Sequence, residues 1–275
     1  RQKAIIELRS KAFRQRDYES SPGTLPSLCF ARLRVTNTWA KHRRLQISVK
    51  DNKSVKTNHI RTRYRTSLIA LSPFGVIALG HLTARVAGNV LGVWAWIPLT
   101  LVLWSLFALL IFASGGRESI QRWLRAPHGG WGWSLLSVAV GLIPVGLFVA
   151  NWQLLSPIWI WLPWLIFALI NPFLEEGYWR GVLMDATAQL PRWVGIVYSS
   201  ALFALNHPLT FGVNSIANGH PVTAISTFVM GVVWALTYHK TKSLRAAVFA
   251  HILVDLFNLS IPAFLNLYVP PGLTQ

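Results

Sequence analysis

The sequence has 275 residues, 53% hydrophobic and only 13% charged, against roughly 25% charged in a soluble globular protein. That excludes a disordered chain and argues against a soluble domain, while 14 Trp and 14 Phe point to lipid as the main solvent. The net charge of +17 sits mostly at the front: residues 1–65 hold 17 basic and 4 acidic side chains, a net of +13, and residues 66–275 hold 9 and 5, a net of +4. The single cysteine, Cys29, excludes an intrachain disulfide framework and a cysteine-rich zinc site.

Residues 1–65 lack a sustained apolar period, and runs such as Arg14 to Arg16, Lys41 to Arg44 and Arg61 to Arg65 repel one another in a packed domain. They are expected to form a basic tail outside the fold, lying near anionic lipid. The Arg-rich character also allows a transit peptide, and a start without Met allows a truncated or wrongly extended coding start. No nucleic-acid-binding motif accompanies the charge, so nucleic acid is not expected as a partner.

From residue 66 onward the chain reads as an all-α, polytopic membrane domain. Thr66 to Ala84, Val86 to Gly116 and Ala126 to Leu174 contain no charged residue, and a span needs about 20 mostly apolar residues. The third run is long enough for two passes, broken near Asn151 to Pro157, which makes four. Trp193 to His207, Val222 to Tyr238 and Leu244 to about Leu267 bring the expected count to about seven. With seven spans the basic tail, the loop with Arg117, Arg122 and Arg125, the Arg192 turn and the Lys240 to Arg245 turn all fall on one side. By the positive-inside rule the N-terminus is then cytoplasmic and the C-terminus lies outside. Trp94, Trp96, Trp159 and Trp161 read as interfacial belts, and a bacterial plasma membrane is the expected location.

Three of the five carboxylates beyond residue 65 lie in apolar helical surroundings: Glu175, Glu176 and Asp255. Ionisable groups at membrane depth cost several kcal/mol unless paired or hydrated, so a functional role is the default. Arg180 falls one turn after Glu176 and on its face, which holds that carboxylate ionised. Glu175 is rotated by about 100° and free to face a cavity as a general base. His207 follows Phe203 at i+4, and His251 precedes Asp255 at the same spacing, with Asn258 one turn on. A lone histidine in an apolar helix is more often structural; two on separate helices beside a glutamate pair are a different matter. His81, His128, His220 and His239 read as structural or loop residues, and Asp185 as a charge near a helix end needing no special explanation.

For the three elements to share one depth, the helix carrying Glu175 must run on to about Ala188, which puts Glu175 roughly 20 Å above its cytoplasmic end. His207 is also about 20 Å beyond Trp193, and His251 roughly 10 Å beyond Leu244. A helix ending at Arg180 would leave Glu175 well below His207.

Glu-Glu-x-x-x-Arg, Phe-x-x-x-His and His-x-x-x-Asp, in this order within membrane helices, resemble the CPBP family of intramembrane proteases, also called Abi, CAAX prenyl protease 2 or lysostaphin-resistance-A-like. The resemblance covers roughly 171–258. It implies peptide-bond hydrolysis, in some branches C-terminal trimming of prenylated proteins and in others bacteriocin maturation or self-immunity. It carries Glu175, Glu176, Arg180, His207, His251 and Asp255 over as the active site. The partners implied are the bilayer and a peptide or protein substrate, lipidated in some branches.

Two chemistries fit. In one, without a cofactor, Glu175 and His207 deprotonate a water while His251 and the side chain at 255 stabilise the oxyanion. In the other, His207, His251 and Glu175 bind zinc. The first is favoured, because the His-Glu-x-x-His spacing common to zinc proteases is missing. The prenyl-protease branch typically has Asn where this chain has Asp255, which weakens CAAX specificity. A catalytically silent immunity or scaffold protein of the same fold is the main alternative, and a transporter a lesser one, since no paired repeat is visible.

Overall fold

A segment surrounded by hydrocarbon must satisfy its own backbone hydrogen bonds, and a helix does so within one strand of chain. The computed structural model describes residues 38–268, with side chains from 65 onward, and its regular secondary structure is helical. Among the described residues, 38–54 and 55–268 fall in two different compact units. The expected tail is therefore described only in part. Residues 1–37, with Cys29, lie outside the described residues, whereas from Thr38 the backbone is helical. No Gly or Pro interrupts 38–72, so nothing local stops the helix there.

In chain order the helices are α1 (Thr38–Leu91), α2 (Trp96–Ser114), α3 (Gly116–Trp123), α4 (Trp131–Gly141), α5 (Val145–Asn151), α6 (Ile158–Glu176), α7 (Leu183–Ala186), α8 (Arg192–Leu209), α9 (Ile216–Gly219), α10 (Pro221–Thr241), α11 (Arg245–Phe257) and α12 (Ser260–Phe264). Four stretches are long and apolar enough to cross a membrane: Arg65–Ser114, Trp131–Leu155, Ile158–Ala186 and Pro221–Thr241. The chain is an all-α integral membrane protein.

The first stretch has 50 residues and turns between α1 and α2 at Gly92, where φ is +56°, a conformation glycine adopts without a Cβ clash. The turn thus falls seven residues later than Arg85, where the charge pattern put it. With those two limbs, and with α8 and α11–α12 added, seven helical segments stand among the described residues. α11, at 13 residues, is about 20 Å long and short of a full span. The expected seventh span, Leu244 to Leu267, is interrupted because Leu259 is left-handed (φ 55°) and starts the separate helix α12.

α6 and α7 are joined without a break by a π-helical turn, Gly177–Val182. The continuous helix therefore ends at Ala186, close to the Ala188 that the depth argument requires. α10 packs along α8 and α4, and α11 lies between α4 and α6. Large apolar side chains such as Leu109, Phe112 and Val149 point outward, as a lipid-facing surface requires. Trp94 and Trp159, read as interfacial residues, meet with ring centroids 5.6 Å apart.

Candidate active site

α6 buries one face, with Trp164, Phe167, Asn171, Glu175 and Glu176 on it. The π-turn follows immediately. Such turns insert one extra residue into a helix and recur at functional sites. Gly177 and Gly181 bracket the turn, and both are under steric demand. A Cβ on Gly177 would stand 2.9 Å from Ile111 Cδ1, and one on Gly181 2.7 Å from the Trp123 ring. The two glycines let α2 and α3 press on the turn from outside. Gly181→Ala should consequently destabilise the fold by about 1–3 kcal/mol through overpacking, read as a lower unfolding temperature in detergent. An unchanged temperature would show that Trp123 yields without cost.

Glu176 is fully buried and doubly held: Arg180 Nη1 donates to its Oε1 at 2.8 Å and His251 Nδ1 donates to the same oxygen at 2.9 Å. The Arg180 guanidinium carbon lies 4.0 Å from the Phe203 ring centroid and 5.4 Å from that of Trp234, so aromatic faces support its charge. His251 stacks on Trp234, with centroids 4.9 Å apart and planes at 27°. The expected Glu176–Arg180 pairing is thus present, and His251 joins it.

Glu175 differs from its neighbour. It is 1% exposed, its Oε2 lies 3.6 Å from His251 Nε2, and that oxygen, like Glu176 Oε2, has no hydrogen-bond partner in the protein; what sets it apart is the cavity. Glu175 lines a cavity of about 140 Å³ together with His207, Asn171 and Asp255. That volume takes several waters. The Glu175 carboxylate thus stands at a cavity wall beside the polar groups of Asn171, His207 and Asp255, where a water or a substrate group can be held.

His207 enters from α8. Its Nδ1 meets the Phe203 carbonyl at 3.0 Å; a carbonyl can only accept, so Nδ1 carries the hydrogen and Nε2 holds the lone pair of the neutral ring. Phe203 presents its ring to both imidazoles, at 5.0 Å from His207 and 6.0 Å from His251. Glu175, Glu176, Arg180, His251 and Asp255 are therefore linked by direct approaches of 2.8 to 3.8 Å, and His207 shares their cavity and their aromatic wall.

Asp255 approaches His251 Nε2 only to 3.8 Å, too far for a hydrogen bond. Its Oδ2 instead accepts from Asn171 Nδ2 at 3.2 Å, and Asn171 Oδ1 accepts from Trp104 Nε1 at 3.0 Å. Asn171 is a site residue that sequence reading passed over. Its signal was being the single amide in the apolar run 158–174, one turn before Glu175. Asp185 does more than end a helix, since it accepts from Arg122 at 2.6 Å, Trp123 Nε1 at 3.1 Å and Tyr238 OH at 2.9 Å and so ties three elements together. His81 Nδ1 donates to the Leu209 carbonyl at the end of α8, at 2.7 Å, and His220 caps α10 by accepting from Val222 N at 3.2 Å. Among the described residues no group of three or more His, Cys, Asp and Glu is arranged to hold a metal ion.

A polytopic helical membrane protein with carboxylates, imidazoles and an arginine gathered around an internal cavity is the class defined by this fold. Residues 157–257 match the family model described as Type II CAAX prenyl endopeptidase Rce1-like, so over that stretch the chain is similar to the CPBP/CAAX protease family. All six residues carried over from the motifs lie inside the matched stretch. The comparisons with curated proteins and with solved structures found no match.

Proposed function

We propose that the protein is an intramembrane endopeptidase in which Glu175 activates water in the internal cavity. The observation carrying this reading is the contrast between the two glutamates: each has a buried Oε2 without a partner, but Glu176 is held through Oε1 by Arg180 and His251 away from the cavity, whereas Glu175 lines the cavity together with His207. A water held between the Glu175 carboxylate and His207 Nε2 gives its proton to Glu175 as its oxygen bonds to the scissile carbonyl carbon. The carbonyl oxygen becomes an oxyanion. Collapse of that intermediate breaks the C–N bond, and the proton held by Glu175 passes to the departing amine.

The oxyanion needs donors. An ionised Asp255 would repel it. His251 Nε2 is one candidate donor, with the positive ring balanced by Glu176 on its other nitrogen. Asn171 Nδ2 is the second, because its amide has two hydrogens and Asp255 takes one. In this reading Asn171 supplies the amide donor that family members of the prenyl-protease branch carry at position 255.

The experiment is cleavage of a peptide set in proteoliposomes, with prenylated and unmodified C-terminal peptides as separate arms. His207→Ala should lower cleavage by about 10²–10⁴-fold, and a chelator should leave the wild-type rate unchanged. Loss of activity with chelator and its rescue by zinc would overturn the mechanism. Full activity in His207→Ala would remove the histidine from it.

A further inference from the structure

The membrane domain has two chemically different ends. Ten Lys and Arg lie between residues 65 and 268. Eight of them cluster at one end: Arg65, the three arginines of 117–125, Arg192 and the three cations of 240–245. Contacts fix these positions as one end. Arg122 pairs with Asp185 just past the π-turn, Asp185 meets Tyr238 late in α10, Ser243 Oγ donates to the Arg125 carbonyl at 2.7 Å, and Arg245 Nε donates to the Leu124 carbonyl at 2.7 Å. Arg65 donates to the carbonyl of Ala113 at the same end.

The other end is likewise tied together, by Asn214 Nδ2 to the Ala84 carbonyl at 2.8 Å, Ser215 Oγ to the Ala263 carbonyl at 2.8 Å and Asn266 Nδ2 to the Asn214 carbonyl at 2.9 Å. Arg85 is the one basic residue there among those described. α8 runs from the first end to the second over 18 residues, about 26 Å. Such an asymmetry sets orientation, with the basic end on the cytoplasmic side.

The cavity holding Glu175 belongs to the second end. Its wall continues from Asn171, Glu175 and His207 to Asn218, Thr223, Asn258 and Tyr268, residues of α9, the start of α10 and the segments flanking α12. His207 itself is two residues from the C-terminus of α8. The two cavities at the basic end, lined in part by Arg122 and Asp185, contain none of the six site residues.

Resting on the peptidase reading above, we infer that Glu175 is reached from the membrane face opposite the basic end, so that the substrate is a translocated polypeptide segment presented on the non-cytoplasmic side. A tail presented in the cytoplasm would meet the end whose cavities contain none of the six site residues. The mouth residues Asn218, Thr223 and Asn258 are neutral amides and a hydroxyl, suited to pairing with an extended peptide backbone.

The test uses the full chain with Cys29→Ser, expressed in a bacterial host and studied in sealed right-side-out and inverted membrane vesicles. Single cysteines are placed at the mouth, Asn218→Cys and separately Thr223→Cys, and at the basic end, Lys242→Cys. A membrane-impermeant maleimide should label the mouth cysteines in right-side-out vesicles alone and Lys242→Cys in inverted vesicles alone. Mouth and basic-end cysteines labelled from the same face, or both mouth positions labelled from neither, would overturn the inference. Thr223→Cys decides if Asn218→Cys does not fold. An added peptide should be cleaved by right-side-out vesicles and not by inverted ones, and cleavage confined to inverted vesicles would also overturn it. Labelling is independent of activity, so failure of the peptidase reading would show separately, as expected labelling without cleavage in either preparation.

Discussion

Replacing Glu175 with Gln is expected to reduce peptide cleavage by about 10²–10⁴-fold while leaving the protein folded. The substitution preserves volume and removes the group that accepts the water's proton. Glu175 Oε2 has no hydrogen-bond partner in the protein, so a neutral amide there costs no existing bond, and it relieves a charge that is almost fully buried. Glu176→Gln should behave in the opposite way. That side chain's Oε1 carries Arg180 at 2.8 Å and His251 at 2.9 Å, and neutralising it leaves a buried guanidinium without its carboxylate. Measuring cleavage and the unfolding midpoint for both variants separates the roles: a chemical loss at 175 and a stability loss at 176. Wild-type cleavage by Glu175→Gln would instead favour the catalytically silent scaffold of the same fold.

What could be read from the chain depends on how local each interaction is. The i, i+4 spacing was enough for Glu176 and Arg180, whose ion pair lies within one helix, and for the Phe203–His207 contact. Charge-free runs were enough to locate the membrane segments, because a single carboxylate or arginine shifts the cost of a span by several kcal/mol. The same spacing brings His251 and Asp255 near each other, to 3.8 Å without a hydrogen bond, because Asp255 turns to Asn171. That partner lies 84 positions away in sequence, and no periodicity signals it. The π-turn is illegible for a related reason: Gly177 and Gly181 look like ordinary weak helix residues until Ile111 and Trp123 are seen pressed against them. The break at Leu259 has no sequence signal either, since a leucine in the left-handed region is unusual and is imposed by its buried surroundings.

Arg180→Met should produce the largest loss of stability of any single change in the site. Arg180 is fully buried, bonded to Glu176, and packed under Phe203 and Trp234. Gly231 is also fitted to it, since a Cβ there would lie 3.1 Å from Arg180 Nη2. Methionine fills much of the space but leaves Glu176 in the interior with His251 as its remaining donor. Breaking a buried pair from one side costs about 3–5 kcal/mol, a large share of the roughly 5–15 kcal/mol that keeps a domain folded. Removing both charges is far cheaper than removing one. Arg180→Met combined with Glu176→Gln should therefore recover most of the lost unfolding temperature, because the amide introduced at position 176 still offers His251 Nδ1 a carbonyl. Arg180→Lys should recover less than the double variant, since an ammonium has neither the planar face that lies over Phe203 nor the fork that reaches Glu176 from there. The measurement is thermal unfolding of the four proteins in one detergent. If the double variant is no more stable than Arg180→Met alone, the arginine acts by filling space rather than by compensating Glu176, and the electrostatic division between the two glutamates falls with it.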